Sequence, residues 1–98
     1  MTPKETTHAA ILDAALTCAR RTGLYTMTRR QVAKRARVAP ATVSFHFVDM
    51  VELRRACVRY VIQHAMPLEV LAHALARRDP IAVKAPAEMK RAALDTLA

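Results

Sequence analysis

The residues of this sequence that are best suited to binding chemistry are arginines followed by short hydroxylated side chains. Arg29 and Arg30 are adjacent, Thr42 and Ser44 come soon after them, and His46 follows. A guanidinium can donate hydrogen bonds to two acceptor oxygens at once, and a hydroxyl can hydrogen-bond a phosphate or the edge of a base. His46 can donate a hydrogen bond to a phosphate, or it can be a surface residue that caps the end of a helix. These residue types favour reversible binding of a phosphate-bearing partner.

No catalytic or metal-binding constellation accompanies these residues in the sequence. The acidic residues are isolated, no Ser-His-Asp spacing stands out, and a single glycine cannot build a phosphate-cradling loop. His64 and His73 have no second ligand one turn away, and Cys57 with His64 falls short of the four-ligand sets of structural zinc. We therefore expect no enzymatic activity, no cofactor and no metal site.

Positive charge is concentrated in one part of the chain, which has a formal net charge of +8. Between Ala14 and Val48 there is no acidic residue, and the cations there are Arg20, Arg21, Arg29, Arg30, Lys34, Arg35 and Arg37. A clustered basic surface favours a polyanion, because binding releases counterions from the phosphates. The alternative is a basic surface that serves solubility, and the concentration of charge around one motif argues against it.

The first of two short helices that carry these residues begins near Thr28, which can cap it with its hydroxyl. This helix is expected to run to about Ala36. Arg29 and Arg30 then lie in its first turn, where cations oppose the helix dipole at a cost of a few tenths of a kcal/mol. An external anion would compensate that cost, which is the behaviour of a functional position.

The second short helix follows a tight turn at residues 37–39 and begins at Pro40, which suits the first turn of a helix. Val43 and Phe47 are expected to be buried, with Val38 packed between the two helices. The other faces then carry Ala41, Thr42, Ser44, Phe45 and His46. Two helices in this arrangement form a helix-turn-helix, whose second helix lies in the DNA major groove. There the hydroxyls can bond bases or phosphates, and Ala41 and Phe45 can meet a thymine methyl.

The remaining elements are also predicted to be helices, so the fold class is all-α. A first helix capped by Thr6 or Thr7 ends at Gly23, and a fourth helix capped by Asp49 is expected to be the longest. Two apolar stripes on that fourth helix predict that it is covered on both sides; the first includes Leu53, Ala56, Cys57, Tyr60, Val61 and His64, and the second Val51, Val58, Ile62 and Ala65.

The C-terminal part is expected to hold two shorter helices. The first starts at Pro67 and ends by residues 79–80, and residues 81–85 form a linker. Pro86 opens a last helix with Met89, Ala93 and Leu97 on its apolar side. We predict one compact domain, with a helix-turn-helix head at 1–48 and a helical extension at 49–98 that serves oligomerisation.

Cys18 and Cys57 lie at apolar helical positions, which predicts two buried thiols and no disulfide. The N-terminal residues contain no apolar targeting segment, and no run approaches the ~18 apolar residues of a membrane span. We expect a cytoplasmic protein that does not bind membranes.

The central part of the sequence resembles the DNA-binding region of the TetR family of bacterial repressors. The resemblance extends from Ile11 to Leu53 and rests on the segment ILDAAL, Gly23 followed by an aromatic residue, the pair Val32-Ala33, the pair Thr42-Val43 and the ending His46-Phe47. It implies DNA contacts from Thr28, Arg29, Arg30, Pro40, Ala41, Thr42, Phe45 and His46. The sequence departs from the family at three positions: a turn glycine is Arg37, a phosphate-contacting tyrosine is Ser44, and a lysine at the start of the fourth helix is Met50.

The sequence therefore predicts a transcriptional regulator, most simply a repressor, that binds double-stranded DNA as a homodimer through one helix per major groove. The resemblance implies a ligand-binding domain after the head, which this sequence does not continue into, so we expect no small-molecule inducer. The alternative is a non-specific nucleoid-type DNA binder or a protein-interaction module that self-assembles. It predicts the same charge without a preferred DNA sequence.

Overall fold

The computed structural model describes residues 2–98, and every regular element within them is helical. Along these residues the elements are α1 (Pro3–Thr22), α2 (Arg29–Ala36), α3 (Pro40–His46), α4 (Met50–His64), α5 (Leu68–Ala76), a 3₁₀ turn (Ala82–Lys84) and α6 (Ala87–Asp95). The all-α prediction is confirmed, including a three-helix head followed by a long α4 and shorter C-terminal helices.

The first helix begins earlier than predicted. The hydroxyl of Thr2 accepts a hydrogen bond from the N–H of Glu5 at 3.2 Å, and Pro3 occupies the first helical position. The predicted cap at Thr6 or Thr7 is wrong, because both hydroxyls donate to carbonyls one turn back, those of Thr2 and Pro3. With 20 residues, α1 is longer than α4 with 15, so the prediction that the fourth helix is the longest is also wrong.

Gly23 ends α1 as predicted, with a positive φ of 108° and its N–H bonded to the carbonyl of Ala19 at 2.9 Å. A side chain here would adopt a disfavoured backbone conformation, and a Cβ would lie 2.6 Å from Oγ1 of Thr26. The chain then turns so that Leu24 and Met27 point into the core. This turn sets where α2 starts.

One hydrophobic core lies between α1 and the helices packed on it, namely α2, α4 and α5. Ile11 of α1, Val32 of α2, Leu53 of α4 and Leu71 of α5 are all inaccessible to solvent. Burial of each such side chain stabilises the fold by about 1.5–3 kcal/mol. Head and extension therefore share apolar packing, and α1 is the element common to both.

The two predicted apolar stripes of α4 are buried to different extents. Leu53, Cys57 and Val61 are buried, as the first predicted stripe requires. On the second stripe Val58 is buried, but Val51 is 48% exposed, so the prediction that this helix is covered on both sides holds only in part. His64, placed by the prediction in the packed stripe, is exposed and stacks on Tyr60 at 4.0 Å.

Residues 81–85 are not the predicted linker. They form a packed turn in which Ala82 and Ala85 are buried. The carboxylate of Asp79 accepts hydrogen bonds from the N–H groups of Ile81 and Ala82, at 2.9 and 3.0 Å, and so holds the turn. On α6 Ala93 is buried, whereas Leu97 lies beyond the helix and is 58% exposed, against the prediction that it packs inward.

Candidate nucleic-acid interface

The start of α2 is fixed by the predicted cap. The Thr28 hydroxyl accepts from the N–H of Gln31 at 3.2 Å, and the Gln31 side-chain oxygen accepts from the N–H of Thr28 at 2.9 Å. This reciprocal capping box orients the first turn, in which Arg29 and Arg30 are exposed and no acidic residue is present. The positive end of the helix dipole and two guanidiniums therefore face solvent together.

The sequence-predicted residues of α3 all have solvent-facing surface. Pro40, Ala41 and Phe45 are exposed, with Phe45 at 71%. The half-exposed positions are Thr42, Ser44 and His46. The helix is anchored from its other side, where Val43 and Phe47 are buried. The arrangement presents a small-residue surface that has one large apolar side chain and two hydroxyls.

The angle between α2 and α3 depends on a turn that begins with a left-handed residue. Arg37 has φ 60° and ψ 44°, the conformation that glycine adopts most readily. The N–H of Val38 bonds the carbonyl of Ala33 at 3.0 Å, which closes the end of α2. Arg37 thus takes the backbone conformation that a turn glycine would supply.

Two residues of α1 lie beside α3 and were missed by the sequence reasoning. The ring of His8 stacks on Phe47 with centroids 4.5 Å apart and lies 5.5 Å from the ring of His46. The ammonium of Lys4 lies 5.3 Å from the centroid of the Phe45 ring. A helix starting at Thr6 or Thr7 would have left Lys4 in an unfolded arm. The pattern Thr-Pro-x-Glu at the N-terminus was the clue, since a threonine followed three residues later by glutamate is the sequence signature of a helix start and proline favours the first helical position.

Lys4, Glu5, His8 and His46 line a small groove of about 230 Å³ between α1 and α3. Within it the pKa of His46 is lowered from its usual value, first by desolvation and then by the neighbouring His8 and Lys4. Because the usual pKa is already below 7, this ring is mainly neutral at pH 7.

The basic cluster of the sequence is divided between two places. Arg29 and Arg30 lie at the start of α2, whereas Lys34 and Arg35 lie in its last turn, roughly 7–8 Å further along the helix axis at 1.5 Å per residue. A groove of about 750 Å³ between α1 and α2 is lined at this second place by Arg21, Lys34, Arg35 and Arg37, together with Asp13. Cations at helix C-termini complement the dipole, so only part of the clustered charge requires an external anion.

Two further polar side chains, those of His73 and Arg54, hydrogen-bond the backbone of Leu24. His73 accepts the N–H of Leu24 at 3.4 Å, and Arg54 donates to the carbonyl of the same residue at 3.3 Å. Cys18 and Cys57 are free and buried, which confirms two buried thiols. Burial, and secondarily the proximity of Cys18, raises the pKa of Cys57 to about 12.

Within residues 2–98, no group of three or more His, Cys, Asp or Glu side chains is placed to hold a metal ion. In the same part of the chain, none of the helices combines the length and apolarity needed to cross a bilayer.

One comparison with known proteins is informative. The family model described as bacterial regulatory proteins, tetR family, matches residues 11–57. The match runs from within α1, through α2 and α3, into α4. Among curated proteins and among solved structures, none is significantly similar to the chain.

Proposed function

We propose that this protein is a sequence-specific repressor that binds double-stranded DNA as a dimer, because residues 11–57 match the model of the tetR family of bacterial regulatory proteins, whose members are DNA-binding transcription regulators. One observation carries the proposal. The face of α3 that bears Ala41, Thr42 and Phe45 is open to solvent, and the opposite face is anchored through Val43 and Phe47. A rigid, exposed second helix is what insertion into a major groove requires.

The proposed contacts divide into positioning and reading. Thr28, Arg29 and Arg30 contact phosphates, since charged and backbone donors at a helix start fix the register on the duplex. The reading surface consists of Pro40, Ala41, Thr42, Ser44 and Phe45, and His46 lies at its edge, where it can donate to a phosphate. Its hydroxyls hydrogen-bond base edges or phosphates, and its apolar members contact thymine methyls. We assign head and extension to 1–48 and 49–98.

The dimer is proposed to form through α4 and the elements after it. Ile62 of α4, Pro80 and Ile81 line a mainly apolar groove of about 490 Å³, with Arg59 and Lys84 at its sides. Further exposed apolar side chains in the same half are Val83, Leu94 and Leu97. A two-fold pair would place two copies of α3 about 34–36 Å apart on one face of the duplex, or a multiple of that distance. Acting on the chromosome, such a repressor works in the cytoplasm.

Selection of bound sequences from a random pool of duplexes tests this function. We expect enrichment of an inverted repeat. Thr42→Ala and Phe45→Ala should each change the free-energy difference between the preferred base and the other bases at the contacted position by about 1–3 kcal/mol. Thr17→Ala, on α1, removes a hydroxyl that donates to the carbonyl of Asp13 outside the proposed DNA and dimer surfaces; it serves as the matched control and should select the same repeat. A flat pool with tight binding would contradict sequence-specific recognition.

The second candidate is a non-specific, self-assembling DNA binder. It is favoured by the cations at the other end of α2 and at the end of α1, which offer a second basic surface around Lys34 and Arg35. This candidate predicts that Arg35→Ala weakens binding as much as Arg30→Ala does, with no preferred sequence. Light scattering over a range of concentrations would then show growth beyond a dimer.

A further inference from the structure

The junction between α1 and α3 holds a group of cationic and titratable side chains that the helix-turn-helix alone does not explain. His8 is fixed by stacking on the buried ring of Phe47, at 4.5 Å and an interplanar angle of 27°. His46, 5.5 Å away, extends from the end of α3. Lys4 is one turn before His8 on α1, and its ammonium lies near the exposed Phe45 ring. The group therefore borders the surface proposed to face DNA.

Two carboxylates lie near this junction, and each accepts a hydrogen bond at the start of a helix. Glu5 lines the same groove, and its carboxylate accepts a hydrogen bond from the Thr2 hydroxyl at 2.9 Å. On the α4 side the first acidic residue after His46 is Asp49, whose carboxylate accepts from the N–H of Glu52 at 2.9 Å. A hydrogen bond from a neutral hydroxyl leaves the negative charge of Glu5 in place, so Glu5 offsets Lys4 in the free protein. Protonation of His46 then gives the cluster the net positive charge that favours a phosphate.

We propose that Lys4, His8 and His46 form a phosphate-binding cluster at the α1 edge of the DNA-facing surface, and that His46 takes up a proton when a DNA phosphate occupies it. The inference rests on the proposed DNA-binding function and adds a contact and a regulation to it. Lys4 supplies a permanent charge, His8 supplies a fixed ring nitrogen, and His46 changes charge state on binding.

The direction of the coupling follows from electrostatics. In the free protein the pKa of His46 is lowered by desolvation and by His8 and Lys4, so the ring is mainly neutral at pH 7. A phosphate favours the imidazolium and raises that pKa. Because the DNA-bound state binds more protons, affinity must increase as the pH is lowered through the range in which His46 titrates.

The test measures the affinity of the full chain for a duplex from the random-pool selection between pH 7.5 and 5.5 at constant salt. A shift of one pKa unit on binding corresponds to about a tenfold change in affinity, and we expect a rise of about three- to tenfold per protomer. His46→Gln should remove most of this rise. His64→Gln is the matched control, since that exposed histidine stacks on Tyr60 at the far end of α4, and it should keep the rise.

The other members of the cluster are tested in the same assay. Lys4→Ala should lower affinity at every pH and reduce the salt dependence by about one phosphate contact. His8→Phe keeps an aromatic ring against Phe47, so it should remain folded in thermal melts while binding more weakly. If His46→Gln shows the same pH dependence as His64→Gln, or if wild-type affinity does not change with pH, the cluster is ruled out and the DNA-binding function stands. If the wild-type chain binds no duplex, both proposals fail.

Discussion

Arg29 and Arg30 differ from the other cations of the basic cluster because the helix that carries them does not favour them. Lys34 and Arg35 lie in the last turn of α2, and Arg20 and Arg21 in the last turn of α1, where positive charge complements the dipole. At the start of α2 the same charge is opposed by a few tenths of a kcal/mol. Positive charge at a helix position that disfavours it is best explained by an anionic partner, here a phosphate.

Arg30→Ala is therefore expected to weaken binding to every DNA sequence about equally and to reduce the slope of log affinity against log salt by about 1. Arg35→Ala, at the other end of the same helix, is the matched control and should leave that slope nearly unchanged. Fluorescence anisotropy over a salt series measures both. Equal effects of the two variants would count against the proposed orientation of α2 on the duplex.

Arg37, like Ala65 and Arg78, is a non-glycine residue with a positive φ, and it is the one of these that lies in the helix-turn-helix. A non-glycine residue in the left-handed region costs the folded state about 1–2 kcal/mol. Glycine removes this cost but also makes the unfolded chain more flexible, which favours unfolding and reduces the net gain in stability. Arg37→Gly should thus stabilise the protein by about 0.5–1 kcal/mol in chemical denaturation. Arg35→Gly, inside the helix, should destabilise it by about 1 kcal/mol. A loss of stability in Arg37→Gly would show that its side chain supports the turn.

At the scale of elements, the sequence was most informative where a local rule determined a helix end. Gly23, Thr28 and Pro40 mark the boundaries of the head, and each has the predicted role in the structure. The start of α1 was missed because Thr6 and Thr7 also suit a cap, and choosing between them and Thr2 required weighing the proline and glutamate that follow Thr2. The neighbours of Lys4 and His8 could not be predicted, since they depend on how α1 packs against α3.

The capping box at Thr28 provides the test at this scale. Thr28→Ala removes the hydroxyl that accepts from Gln31 and should lower the unfolding free energy by about 1 kcal/mol, within a range of about 0.5–2. Thr28→Ser keeps a capping hydroxyl and should retain most of the stability. Urea denaturation followed by circular dichroism measures the difference. If alanine and serine give the same stability, the cap does not fix the start of α2.

At the scale of the whole molecule, head and extension share one core through α1, which contacts both α2 and α5. Sequence patterns identified the apolar faces but could not show which faces meet. Residues 81–85 were expected to be a linker because they lie between the helix predicted to end by residues 79–80 and the helix that Pro86 opens. Their burial depends on contacts with α4 and α5 and on the Asp79 side chain, which are set by the tertiary structure.

The buried thiol of Cys57 provides a test of whether this shared core is a single packed unit. The pKa of Cys57 is raised to about 12 by burial, so the native protein favours the protonated thiol. The protonated Cys57 thiol therefore contributes fully to the unfolding free energy when the pH is below the pKa of this thiol in the unfolded chain. The contribution is lost as the pH rises from about 9 toward 12. We expect the unfolding free energy to fall across that range, and to fall less steeply in Cys57→Ala. At pH 8 Cys57, which is inaccessible to solvent, should react with a disulfide reagent only as fast as the protein unfolds; rapid labelling of this thiol in native conditions would contradict a single core.

The central claim is that the start of α2 and the exposed face of α3 contact DNA. The most direct measurement is an NMR titration of the isotope-labelled protein with the duplex obtained by selection, following each backbone amide. The account predicts that the largest shifts fall at residues 28–30 and 40–46, with saturation at two protomers per duplex. Shifts concentrated instead around Arg21, Lys34 and Arg35, with α3 unaffected, would contradict it.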